Sequence, residues 1–157
     1  MNSARIHAVI LAFVMATTVW GMDTPTPEPK APKDPAMDQA RAAIAKQDWM
    51  GAQKILREAV ARNPQDADSH NLYAYSMRKG DKPAMDLVFR HYNEALRLDP
   101  KHRAAHEYLG EAYLMSGNIA KAKEHLARLD DLCTFGCEEY TKLKRDVAAY
   151  EQQHAKK

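Results

Sequence analysis

Apolar residues recur at spacings of three and four over most of the chain after residue 35, a pattern typical of amphipathic helices. The last segment, residues 137–153, shows it most simply. Its apolar residues are Tyr140, Leu143, Val147 and Tyr150, and its other side carries Lys142, Arg145, Asp146 and Glu151. Three prolines follow residue 35, and each stands next to the end or the start of such a segment: Pro64, Pro83 and Pro100. The pattern predicts an all-α domain over residues 36–153 with seven helices.

The pattern also repeats. Residues 66–70 after Pro64 align without a gap with residues 102–106 after Pro100, and the match continues with Ala74 on Gly110. Small residues at recurrent positions let two helix backbones approach closely, while larger apolar residues fill the space beside them. The small residues are Ala52, Ala74, Ala95, Gly110 and Ala122. A period of about 34 residues with two helices per copy predicts a stacked helical repeat.

The residues that carry this period resemble the tetratricopeptide repeat. The third copy has His106, Leu109, Gly110, Tyr113, Gly117, Ala122 and Leu126 at the characteristic places; the first keeps Ala52, Leu56, Ala59 and Pro64, and the middle keeps Ala74, Tyr92, Ala95 and Pro100. The resemblance implies an α-solenoid of about three helix-turn-helix repeats, near residues 34–66, 67–101 and 102–133, closed by a capping helix over 137–153. The middle copy is two residues longer, which predicts a lengthened turn near residues 79–83.

In that family the first helix of each repeat lines a concave groove that holds a peptide. Carried over to this chain, the groove residues are Met37, Arg41, Asn71, Tyr75, Arg78, Glu107, Tyr108, Glu111 and Met115. The family's clamp of Lys, Asn and Arg for a terminal carboxylate is not reproduced, because the third copy presents Glu107 and Glu111. An acidic C-terminal tail is therefore a poor ligand. The alternative is that these side chains are only the solvated sides of helices.

The charge balance narrows the class of partner. Lys and Arg number 23 and Asp and Glu 21, a formal net charge of +2 without long single-sign runs, so the electrostatic footprint of a nucleic-acid binder is missing. No Ser-His-Asp spacing, phosphate loop or nucleophile elbow is present. We therefore expect a protein or peptide partner, possible homodimerisation through the end faces of the stack, no cofactor and no catalysis.

Cys133 and Cys137 are the two cysteines of the chain, and they flank a short segment that contains Gly136. We expect a structural disulfide that pins the capping helix to the stack, with Gly136 at positive φ. The alternative function is a periplasmic thiol or Cu(I) carrier, with His125 or Met115 as a third ligand. His102 and His106 lie four apart on one helix face, and packing is favoured over a metal site for them.

The N-terminal residues predict export. Residues 1–21 combine Arg5, an apolar stretch of 13 residues over 8–20 and small side chains before a cut after Gly21, as in a cleavable signal peptide. Thirteen residues are too few to cross a bilayer, which needs about 20. Residues 22–35 contain five prolines and are expected to form an extended linker. The expected location is periplasmic or secreted.

Overall fold

The computed structural model describes residues 34–155, so the predicted signal peptide and residues 22–33 of the predicted linker lie outside the described range. Within that range the chain forms seven α-helices: α1 Pro35–Ala45, α2 Trp49–Arg62, α3 Ala67–Lys79, α4 Met85–Leu98, α5 Arg103–Met115, α6 Ile119–Leu132 and α7 Glu138–His154. This confirms the predicted all-α class and helix number. No helix of this part of the chain has the length and apolarity that crossing a bilayer requires.

The helices pack as consecutive hairpins. α1 packs on α2, α3 on α4 and α5 on α6; each hairpin contacts the next, and α7 packs on both α5 and α6. The first helices of successive hairpins, α1, α3 and α5, also touch one another in that order. We call the surface formed by these three helices the first-helix face. The arrangement is a three-repeat stack with a terminal helix.

Local sequence fixes where the helices start. The side chains of five residues accept a hydrogen bond from a backbone N–H of the first turn: Asp34, Asp48, Asp66, His102 and Asn118. The turns within the first and third hairpins each use three residues, 46–48 and 116–118, with Gln47 at φ 58° and Gly117 at φ 78°. The middle hairpin uses five, 80–84, which is the predicted two-residue lengthening.

The interior is built on the predicted small residues. Ala52, Ala74, Ala95 and Ala122 are fully buried. Gly110 on α5 faces α7: a Cβ atom at this position would lie 2.5 Å from Leu143 Cδ2. Leu143 and Val147 are the buried residues of α7, as its sequence pattern predicts.

The junction between α6 and α7 contains the cysteine pair. Cys133 directly follows α6, Cys137 directly precedes α7, and their sulfur atoms are bonded at 2.06 Å. Gly136 takes a φ of 82°, which confirms the predicted positive φ. The bond therefore ties the start of the capping helix to the end of the last repeat.

Candidate functional site

Five of the nine predicted groove residues form one group on the first-helix face. α3 supplies Tyr75 and Arg78, and α5 supplies Tyr108, Glu111 and Met115. The Tyr75 and Tyr108 rings are 4.6 Å apart between centroids, and the Arg78 guanidinium carbon lies 5.6 Å and 5.8 Å from these two centroids. We call this group the tyrosine–arginine cluster. It joins two successive repeats through aromatic and cation–π contacts.

Arg78 is the fixed centre of the cluster. Its side chain is only 5% exposed, and its Nη2 lies 2.5 Å from Glu111 Oε2 in an ion pair. Its Nε donates to the Tyr92 hydroxyl at 3.3 Å, and its Nη1 lies 3.7 Å from Met115 Sδ. Burial opposes the charge of Arg78, but Tyr92 and Glu111 outweigh this effect and raise its pKa. The guanidinium is therefore held charged and in one position.

The aromatic part of the cluster extends further than the sequence predicted. Trp49, the first residue of α2, packs edge-on against Tyr75 with 6.0 Å between ring centroids. Burial raises the pKa of Tyr108 to about 12, so its hydroxyl remains protonated and can donate a hydrogen bond. Met115 keeps 56% of its surface exposed at the edge of the cluster. Together these side chains give a largely apolar surface with polar groups at fixed positions.

Asn71 and Glu107 lie deeper in the same face. They are 36 residues apart, at corresponding positions of α3 and α5, and are 2% and 3% exposed. The Asn71 Oδ1 atom is buried and has no hydrogen-bond partner within residues 34–155. Burial, reinforced by the charge of Glu111, raises the pKa of Glu107 to about 7. Buried polar atoms without partners are uncommon in native proteins, so the Asn71 oxygen requires an explanation.

Met37 and Arg41 do not join the tyrosine–arginine cluster. Met37 packs against the apolar core of the first hairpin, with its Sδ 3.1 Å from Ser69 Oγ. Arg41 pairs with Asp68 at 3.2 Å, and the other carboxylate oxygen of Asp68 lies 3.0 Å from His102 Nε2. Met37 and Arg41 therefore lie outside the tyrosine–arginine cluster and make separate contacts with residues of α3.

Histidines form two matching pairs that the sequence pattern did not predict. His70 Nδ1 lies 2.9 Å from His91 Nδ1, and His106 Nδ1 lies 3.0 Å from His125 Nδ1. His70 Nε2 donates to the carbonyl of Pro64, and His106 Nε2 donates to that of Pro100, each at 3.2 Å. With Nε2 protonated, Nδ1 of His70 and of His106 is the acceptor, so the partner histidine donates. The sequence did contain one indication of these pairs: the second and the third repeat copy each contain both histidines of one pair.

The surroundings lower the pKa of three of these four histidines. Burial lowers the pKa of His106, and burial together with the neighbouring His106 lowers the pKa of His125 to about 4. Burial and the neighbouring His70 likewise lower the pKa of His91. These histidines are packed side chains, which agrees with the packing role expected for His106. No group of three or more His, Cys, Asp or Glu side chains suited to a metal ion occurs in the described part of the chain.

Each group considered for a Cu(I) site has another partner in the structure. The sulfur atoms of Cys133 and Cys137 are bonded to each other, His125 pairs with His106, and Met115 lies against Arg78. A thiolate site would require reduction of the disulfide and rearrangement around it.

Comparison with known proteins assigns the chain to a family. Two family models described as tetratricopeptide repeat match residues 37–83 and 88–144. The comparison with curated proteins found no match.

Solved structures with similar folds include the Yersinia enterocolitica type III secretion translocator chaperone SycD, with a TM-score of 0.67 and 15% identity over 76% of this chain and 83% of that one. SycD in complex with a peptide of the translocator YopD has a TM-score of 0.62 and 16% identity, over 75% of this chain and 88% of that one. The TPR2B domain of yeast Sti1, in its complex with pHsp70, has a TM-score of 0.64 and 20% identity, over 76% of this chain and 98% of that one. At these identities the likeness establishes the fold. The repeat models, the seven helices and the stacking order together show that the chain belongs to the tetratricopeptide repeat family.

Proposed function

We propose that the protein is an exported protein–protein interaction module that binds a segment of a partner protein on its first-helix face. The observation that carries the proposal is the tyrosine–arginine cluster, which spans α3 and α5 and presents aromatic, thioether and charged groups on one surface. The activity is binding rather than catalysis.

The cluster has the physical properties of a binding surface. Tyr and Arg are enriched among the residues that dominate binding energy, because they bury a large area and make directed polar contacts. Arg78 is already locked by Glu111 and Tyr92, so little side-chain freedom remains to be lost on binding. Exposed Met115 adds a flexible apolar contact that adapts to different side chains.

Structural relatives support a peptide as the ligand. SycD has been solved with a peptide of YopD, and the Sti1 domain with pHsp70. The same stack of repeats therefore accommodates a protein segment in other proteins, and the side chains that line the face set which segment binds.

The proposed location is the periplasm or the outside of the cell. It rests on the signal-like residues 1–21 and on the cysteine pair, since disulfides persist in oxidising compartments. Fractionation of the native cell and N-terminal sequencing test it: the expected product starts at Met22 in the periplasmic or secreted fraction. A cytoplasmic protein with Met1 intact contradicts the location and leaves the binding proposal standing.

The binding proposal is tested by affinity capture from the native envelope with paired variants. Tyr75→Ala with Tyr108→Ala removes the aromatic centre and is expected to lose specific partners. Met50→Ala with Leu87→Ala removes exposed apolar side chains on α2 and α4 and is the matched control. Retention of every partner by the tyrosine variant, with loss in the control, shows that the partner binds elsewhere. Captures with and without reductant show whether the disulfide takes part.

A further inference from the structure

Glu107 is a buried carboxyl group without an internal partner. The residue as a whole is 3% exposed, but its carboxylate oxygens are not among the fully buried side-chain atoms without a hydrogen-bond partner, which in residues 34–155 are Asn71 Oδ1 and Arg78 Nη2. The charges around it are already engaged. Glu111 pairs with Arg78, Lys142 Nζ lies 2.7 Å from Glu138 Oε1, and the Glu139 carboxylate lies 3.8 Å from Arg103 Nε. A largely buried carboxylate without a protein donor depends on solvent or a bound ligand to offset the free-energy cost of its desolvation.

A second acceptor occupies the corresponding position of the preceding repeat. Asn71 Oδ1 is buried without a donor, and α3 and α5 are in contact. Tyr75 lies one turn after Asn71, Tyr108 follows Glu107 directly, and their rings pack at 4.6 Å. Each acceptor is therefore close, along its own helix, to one ring of the aromatic pair. Carboxylate and amide oxygens accept hydrogen bonds only, and aromatic rings attract cations, so the group that complements this set is a cation with several N–H donors.

We propose that the first-helix face recognises a lysine or arginine side chain of the bound segment, with the Glu107 carboxylate accepting from its cationic head and Asn71 Oδ1 accepting another N–H of the same segment. The inference rests on the proposed function and specifies its ligand: a basic segment. Arg78 neutralises Glu111, so Glu107 supplies the negative charge that the ligand meets.

Phage display supplies a probe while the natural partner is unidentified. A library of random 12-residue peptides is panned at pH 8 on the protein from residue 22 onward and on its Glu107→Gln variant, an isosteric change. Peptides selected by the wild type are expected to share Lys or Arg at one aligned position, and those selected by Glu107→Gln are expected to lack it. Circular dichroism confirms that both proteins are equally helical.

A peptide selected by the wild type is then measured beside its Lys→norleucine or Arg→norleucine version by fluorescence anisotropy. The replacement is expected to weaken binding to the wild type by about 30-fold or more, and to Glu107→Gln by about twofold or less. Since the pKa of Glu107 is raised to about 7, wild-type affinity is expected to rise about tenfold between pH 6 and pH 8, and that of Glu107→Gln to stay flat. Lys142→Met removes a nearby cation and is expected to bind at least as tightly as the wild type.

The outcomes separate the two proposals. Selected peptides that need Tyr75 and Tyr108 but show no preference for a basic residue overturn this inference and leave the proposed function intact. An equal norleucine effect in wild type and Glu107→Gln, or lost binding in Lys142→Met, also overturns it. Failure to select any peptide whose binding depends on Tyr75 and Tyr108 overturns both proposals.

Discussion

Gly110 of the last repeat and Leu143 of the capping helix are packed against each other: a Cβ atom on Gly110 would lie 2.5 Å from Leu143 Cδ2 and 2.8 Å from Cδ1. Leu143 is fully buried, so its tip has little room to move. The absence of a side chain at residue 110 therefore sets the distance between α5 and α7.

Gly110→Ala is expected to lower the free energy of unfolding by about 1 kcal/mol, because overpacking of about 1–3 kcal/mol outweighs the better helix propensity of alanine. In a Leu143→Ala background the same change is expected to stabilise by up to about 1 kcal/mol, since the clash is gone. Urea denaturation of the four proteins measures the coupling. Equal effects of Gly110→Ala in both backgrounds contradict the close approach.

Gln47 adopts the left-handed conformation that Gly117 adopts in the equivalent turn of the third hairpin, with φ of 58° and 78°. A side chain at positive φ is strained, so Gln47→Gly is expected to stabilise the protein by about 0.5–1 kcal/mol. The reciprocal change Gly117→Gln is expected to destabilise it by a similar amount. Thermal unfolding of both variants checks the pair, and a lower melting temperature for Gln47→Gly contradicts the assigned turn.

Glu107 is expected to make the protein less stable as pH rises. Its pKa is 4.5 when unfolded and about 7 when folded, so between these values the unfolded chain releases a proton that the native state keeps. Stability is therefore lost as pH rises from 4.5 through 7, by on the order of 1–3 kcal/mol. The free energy of unfolding of Glu107→Gln minus that of the wild type is expected to be larger at pH 8 than at pH 5 by this amount. Glu58→Gln, on the exposed side of α2, is the matched control and is expected to show no such gain.

His125 is expected to act in the opposite direction. The pKa of His125 falls from 6.5 to about 4 on folding, so between these values the unfolded chain binds a proton that the native state excludes. This contribution to stability is present above pH 6.5 and is lost as pH falls towards 4, by on the order of 2 kcal/mol. Denaturation between pH 7.5 and 4.5 is expected to show a shallower pH dependence for His125→Gln, and an unchanged one for His154→Gln, whose side chain is exposed.

The Cys133–Cys137 bond closes a loop of five residues, counting both cysteines. A loop this short is expected to contribute about 2 kcal/mol in the chain-entropy model. Reductant should therefore lower the stability of the wild type by about this amount and leave Cys133→Ser with Cys137→Ser unchanged. Hydrogen exchange should rise first in α7. Unaltered wild-type stability after confirmed reduction contradicts a stabilising role.

The sequence was sufficient for the fold because packing is repeated. Ala74 and Gly110 lie 36 residues apart, one repeat period, and Ala52 and Ala122 lie 70 apart, two periods, and all four are buried. The lengthened middle turn could also be predicted from the sequence, because an insertion shifts the repeat positions of all residues that follow it. Residues 1–33 are outside the described structure, so the signal peptide stays a prediction.

The site was predictable where two well-matched copies meet. Tyr75 and Tyr108 lie on successive first helices, and the equivalence of the second and third copies placed them on one face. The first copy is degenerate, and nothing in its sequence distinguishes an inward Met37 from a groove-facing one. The histidine partners are 21 and 19 residues apart on different helices, so no helical spacing connects them, and only the backbone path brings them together.

The seventh helix also determines how the array can grow. Leu143 and Val147 cover α5 and α6 on the side where a fourth hairpin would otherwise dock. A copy inserted after Leu132 would have to displace α7 and break its covalent link to the third hairpin. Lengthening the solenoid in that direction, by duplication or by joining a second molecule end to end, therefore requires the present terminator to be moved beyond the new copy.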